Sequence, residues 1–136
     1  MRTVRAGASD DELLACVRDW VALLAAGDFA GAVEFLVFPE GVYAPGRWTA
    51  EDLEVFLANY GSWDPLGDGR IMRVTPIESA VGELAARFEV DRGDGPPAIE
   101  FDLPLNGEWS DLTARFELTG TADGRWGFLL YDLHVL

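Results

Sequence analysis

Ser110-Asp111-Leu112-Thr113-Ala114-Arg115-Phe116-Glu117-Leu118-Thr119 alternates apolar and polar residues without a break. Successive side chains on a strand point to opposite faces. Leu112, Ala114, Phe116 and Leu118 therefore belong to a buried face, and Asp111, Thr113, Arg115 and Glu117 to the opposite one. Short turn signals bracket the stretch: Asn106-Gly107 before it and Asp123-Gly124 after it. Such tight connections predict antiparallel neighbours.

Further strands follow on either side. Ile99, Phe101 and Leu103 alternate with Glu100 and Asp102, and Gly93-Asp94-Gly95-Pro96-Pro97 forms a hairpin loop before them. Leu84, Ala86, Phe88 and Val90 alternate with Ala85, Arg87, Glu89 and Asp91, which predicts another half-buried strand. Ile71 to Glu78 is expected as the first strand, with Pro76 placing it at an edge or a bulge. Trp126 to Leu136 is expected as a long apolar last strand.

The first half of the chain has a different period. Ser9 or Asp10 can cap a helix carrying Leu13, Val17, Trp20, Val21 and Leu24 on one stripe, stopped by Gly27. Asp28 caps a shorter helix with Phe29, Val33 and Leu36. Thr49 and Asp52 resemble a capping box ahead of Leu53, Phe56, Leu57 and Tyr60. Pro39, Gly41, Pro45 and Gly46 mark an irregular stretch around Val42 and Tyr43. The expected class is α+β: about three N-terminal helices packed on a curved, mostly antiparallel sheet of about five strands. Residues 1–136 are read as one domain, with 1–9 a loosely ordered N-terminus.

The chain carries 24 acidic residues against 10 basic ones, for a net charge of −14, and every basic residue is Arg. A field of that sign repels phosphate backbones and anionic membrane surfaces, so neither nucleic acid nor membrane is an expected partner. A basic protein would be steered in. No segment is long and apolar enough to span a bilayer, and no leader pattern is present, so the expected compartment is cytoplasmic. Cys16 is the one cysteine, inside an apolar helix stripe, and is read as a core residue. One His and one Cys are too few for a zinc site, and no calcium loop or Gly-rich phosphate loop is present. No metal and no cofactor are expected.

Two groups are candidate site residues. On a regular last strand, Asp132 and His134 share a face with Trp126, Phe128 and Leu130. The carboxylate could then orient the imidazole as a general acid/base. Trp48, Trp63 and Trp109 sit at loops or element ends. With Tyr131 and Trp126 they are candidates for a pocket or an interface.

The order of elements resembles the NTF2-like (SnoaL-like) cone fold. The residues behind this are the Asp11–Ala26 helix, the Gly27-Asp28-Phe29-Ala30-Gly31-Ala32 restart, the Thr49-capped helix and the Trp126–Leu136 strand. Of the early strands usual in that family, only Val42-Tyr43 could serve here. The resemblance implies a curved sheet around helices and a pocket at its open end, with pairing through the sheet into a homodimer. Family members include isomerases, dehydratases, carriers and binding subunits. Trp109-Ser110-Asp111-Leu112-Thr113 and Tyr131-Asp132-Leu133-His134-Val135-Leu136 are also similar to segments of small, acidic, immunity-like bacterial domains. Three functional readings follow. The first is a non-catalytic binding domain for a small apolar ligand or a protein. The second is an NTF2-like enzyme of isomerase or dehydratase type using Asp132 and His134. The third is an acidic immunity-type protein that masks a basic toxin.

Overall fold

A computed structural model of the chain describes residues 1–38 and 48–135. The Val42-Tyr43 strand candidate and its flanking prolines and glycines lie outside the described residues, as does Leu136.

Helix α1 (Asp10–Ala25) opens on a complete capping box. The Ser9 hydroxyl accepts from the Glu12 amide, and the Glu12 carboxylate accepts from the Ser9 amide. Glu12 also takes the Arg5 guanidinium, with Nε to Oε2 at 2.9 Å. These hydrogen bonds, Arg5 first and Ser9 second, hold its carboxyl at about 2, against an ordinary 4.5. A depressed carboxylate stabilises the fold above its unfolded pKa, and the contribution fades as pH falls from about 4.5 to about 2. An NMR titration of the Glu12 side chain should report the low midpoint, and Arg5→Ala should move it back toward 4.5. An unchanged midpoint in that variant would contradict the assignment.

Gly27, at φ +76°, closes α1, as its position predicts. Asp28 then caps α2 (Phe29–Glu34) by accepting from the Gly31 amide at 2.9 Å. Thr49 and Asp52 form the second capping box, opening α3 (Ala50–Ala58).

Among the described residues the strands are β1 (Thr3–Arg5), β2 (Phe88–Asp91), β3 (Ala98–Leu105), β4 (Glu108–Gly120) and β5 (Arg125–Val135). They form one curled antiparallel half-barrel sheet in the order β1-β5-β4-β3-β2. The α+β class holds. The β3–β4 turn has Asn106 and Gly107 both at positive φ, the geometry that an Asn-Gly pair favours. The helices cover the concave face. Trp20 of α1 sits edge-on to Phe116 of β4 at 5.0 Å, and Phe116 meets Phe128 of β5 at 5.9 Å. All three side chains are fully buried.

Four local expectations change. Residues 71–78 do not form a strand: Val74 makes a single bridge to Leu105, and Pro76 leads straight into a 3-10 turn, Ile77–Ser79. Pro76 has no N–H to give a ladder, while the Pro76 carbonyl accepts from both the Ser79 amide and the Ser79 hydroxyl. Leu84–Arg87 is a 3-10 turn too, and the strand starts only at Phe88. Its Ala85-Ala86 centre lacks the β-branched and aromatic side chains that favour a pleated surface. The N-terminus, expected to be loose, places Thr3–Arg5 against Gly127–Arg125 as an edge strand.

The fourth change concerns β5. Arg115 stands opposite Asp132, but Phe116 stands opposite Leu130, so Tyr131 is an extra residue bulged out of the ladder. A bulge of one residue shifts the alternation beyond it to the other face. Leu133 pairs with Ala114 on the buried side, while Asp132 and His134 pair with Arg115 and Thr113 on the outer side. The two residues do not share the face of Phe128 and Leu130.

Candidate functional site: the outer face of the sheet

The outer, convex face is built from the polar members of four strands. One row runs Glu89, Glu100, Arg115, Asp132 across β2, β3, β4 and β5. The next runs Asp102, Thr113, His134. Asp91, Ala98 and Glu117 make a third.

Arg115 is the hinge of the charge arrangement. Its Nη1 donates to Glu100 Oε1 at 2.9 Å and its Nε to Glu117 Oε1 at 3.1 Å. Burial pulls this guanidinium's pKa down, but the hydrogen bonds to Glu100 and Glu117 outweigh it and raise it overall. Arg87 pairs with Asp102 at 3.3 Å. Asp102 also accepts from the hydroxyl of Thr113, a fully buried polar side chain, at 2.8 Å. Both arginines are thus committed to other carboxylates, and neither forms an ion pair with Asp132. Toward β2, six carboxylates (Glu89, Asp91, Glu100, Asp102, Glu117 and Asp132) face the two guanidiniums of Arg87 and Arg115, while Arg125 and Arg5 lie at the β1 end of the same face.

Asp132 and His134 are brought together, with His134 Nδ1 and Asp132 Oδ2 at 3.2 Å. The angle is wrong for a hydrogen bond, so Nδ1 has no hydrogen-bond partner among the described residues. The pair also lines none of the described cavities.

The five aromatic candidates separate. Trp48 and Trp63 join Phe56: Trp48 to Phe56 at 5.4 Å, Phe56 to Trp63 at 4.9 Å, and the two indoles at 6.4 Å. The Trp48 indole donates to the Leu130 carbonyl at 3.0 Å, beside the bulged, half-exposed Tyr131. Beyond Gly127, β1 no longer covers β5, so this indole satisfies an outward carbonyl of the edge. Trp126 lies at the other end of β5, between Val4 and Gly120, against the core. Trp109 packs on Phe101 at 6.1 Å, with the Arg87 guanidinium over its ring at 5.7 Å. Trp48, Phe56 and Trp63 are therefore one cluster, anchored on the Leu130 carbonyl, and Trp109 and Trp126 lie elsewhere on the sheet.

The concave side is packed by fully buried Trp20, Phe101, Phe116, Phe128 and Leu130. The larger cavities lie elsewhere: about 400 Å³ between α1, α3 and residues 71–74, and about 440 Å³ between α1 and residues 76–78. Cys16 is buried in α1, and burial raises its thiol pKa, which keeps it protonated. Among the described residues no cluster of His, Cys, Asp or Glu converges as metal ligands would, and no helix is long and apolar enough to cross a membrane.

No protein-family model matches the chain, and no curated protein matches it significantly. The polar residues of the outer face were visible in the sequence as alternating positions. That they gather on one face of the sheet required the strand order and the Tyr131 bulge.

Proposed function

We propose that the chain is a non-catalytic binding domain that recognises a basic protein through the outer face of its sheet. The carrying observation is the surplus of carboxylates on that face over Arg87 and Arg115. Charge of one sign on a surface steers an opposite partner and rejects like-charged ones. A net charge of −14 adds to the steering at long range.

The NTF2-like cone remains part of this proposal. A curled sheet with helices on its concave side supports it. A second copy docked through the same face would set these carboxylates against themselves, so the face supports a basic partner better than a homodimer. An immunity-type role, masking a basic toxin, is one form of this reading. The Asp132–His134 pair supports catalysis less well, because it is misaligned and lies outside the cavities. Space for a small apolar ligand lies beside α1, in the clefts toward α3 and toward residues 76–78, rather than inside the sheet.

The test compares two neutralised variants. One carries Glu89→Gln, Asp91→Asn, Glu117→Gln and Asp132→Asn. The other removes four exposed carboxylates from the helix side: Asp11→Asn, Glu34→Gln, Glu51→Gln and Glu54→Gln. Both are titrated with small basic proteins at low and physiological salt. The outer-face variant should lose about tenfold or more in affinity, and the helix-side variant much less. Equal losses would mean that only net charge matters, and would refute the assigned face.

A further inference from the structure

Strand β2 is the end of the sheet, and among the described residues no backbone hydrogen bond reaches it from the side away from β3. The opposite end is closed differently: β1 pairs with β5, and the Val37 amide and Trp48 indole donate to the Phe128 and Leu130 carbonyls. Unpaired strand edges are templates for another strand, and proteins usually protect them with short length and charge. Here β2 is short, and its charge is of a single sign.

Glu89 and Asp91 are exposed and make no ion pair among the described residues. Glu89 stands directly opposite Glu100, a like-charge cross-strand pair that opposes pairing. Arg115 already serves Glu100 and Glu117, so it leaves Glu89 uncompensated. A shallow cavity of about 80 Å³ opens between Glu89, Asp91, Glu100 and Arg115. On the other side of the strand, Phe88 and Val90 are half-buried against the core. A guest strand beside β2 would therefore meet carboxylates on one face and apolar side chains on the other. A second β2 would bring Glu89 and Asp91 alongside their own copies, which disfavours self-pairing.

We infer that β2 is a docking edge for an extended segment of a basic protein, in which arginine or lysine alternates with apolar residues, added to the sheet as a further strand. This rests on the proposed recognition of a basic protein and names where its backbone is bound. Main-chain hydrogen bonds would give the affinity and the alternate side chains the selectivity.

The probe is a labelled peptide, Arg-Val-Arg-Val-Arg-Val-Arg, followed by fluorescence anisotropy with the whole chain. Its controls are a clustered peptide of the same composition and the alternating peptide N-methylated at every second residue. The alternating peptide should bind about tenfold more tightly than either control, since each control keeps the charge but loses the register or the amides. Amide exchange should slow at residues 88–91, and Glu89→Arg with Asp91→Arg should abolish binding. Equal binding of all three peptides, protection at another strand, or no peptide binding would each overturn the docking edge. The basic-protein titration of the neutralised variants reads the wider proposal separately: if outer-face neutralisation still weakens that binding, only the edge assignment has failed.

Discussion

Replacing Trp20 with alanine is expected to destabilise the fold by about 3–5 kcal/mol, the range for deleting a fully buried large aromatic. Trp20 is the side chain through which α1 seats on the sheet. It meets Phe116 edge-on, and its indole donates to the Ala32 carbonyl at 3.1 Å, tying α1 to α2. The truncation removes the apolar area, opens a cavity between helix and sheet, and strips the Ala32 carbonyl of this donor. Urea unfolding should show a lower midpoint at an unchanged slope. Trp20→Phe should cost less, because it keeps most of the ring contact and loses the hydrogen bond. A loss below about 1 kcal/mol for alanine would contradict the packing of α1 on β4.

The second large effect is expected at Gly61. Its φ of +80° lies in the left-handed region, just beyond α3, where its amide donates to the Phe56 carbonyl at 2.8 Å. A β-carbon there would sit 2.8 Å from Cδ1 of Leu112, which is fully buried and has little room to yield. Backbone strain and overpacking add, so Gly61→Ala should cost about 2–4 kcal/mol. Leu112→Ala separates the two causes. In that background the steric part disappears, and the remaining cost of Gly61→Ala should fall to about 1–2 kcal/mol. Thermal unfolding of the four proteins completes the cycle. Strict additivity would show that Leu112 and Gly61 do not touch.

Much of the fold was legible because local signals agreed with the global arrangement. The β4 alternation, the Asn106-Gly107 turn, the Ser9 cap and the Thr49–Asp52 capping box each encode their own geometry within a few residues. The missed elements are those whose local signal was weak or shared. Thr3–Arg5 offers one apolar residue, Val4, and becomes a strand only because β5 supplies a partner. Leu84 to Arg87 alternates in hydrophobicity like a strand, yet its small residues settle into a turn.

The site was less legible for a related reason. A period-2 reading of β5 carries Asp132 and His134 to the side of Phe128 and Leu130. The signal for the bulge was present in the apolar spacing, which goes from two between Phe128 and Leu130 to three between Leu130 and Leu133. Against the regular spacing of Phe116 and Ala114 on β4, that extra residue has to bulge. The gathering of Trp48 with Trp63, and the separation of Trp109 from Trp126, depend on tertiary packing that no single stretch of sequence carries.

The outer-face account turns on where the Tyr131 bulge places Asp132 and His134. Nuclear Overhauser contacts of the His134 ring protons test this most directly. The account predicts contacts to the Thr113 and Arg115 side chains across the strand pair. Contacts to the rings of Phe116 or Phe128 would put the pair on the concave side, contradict the bulge, and return Asp132 and His134 to the interior of the half-barrel.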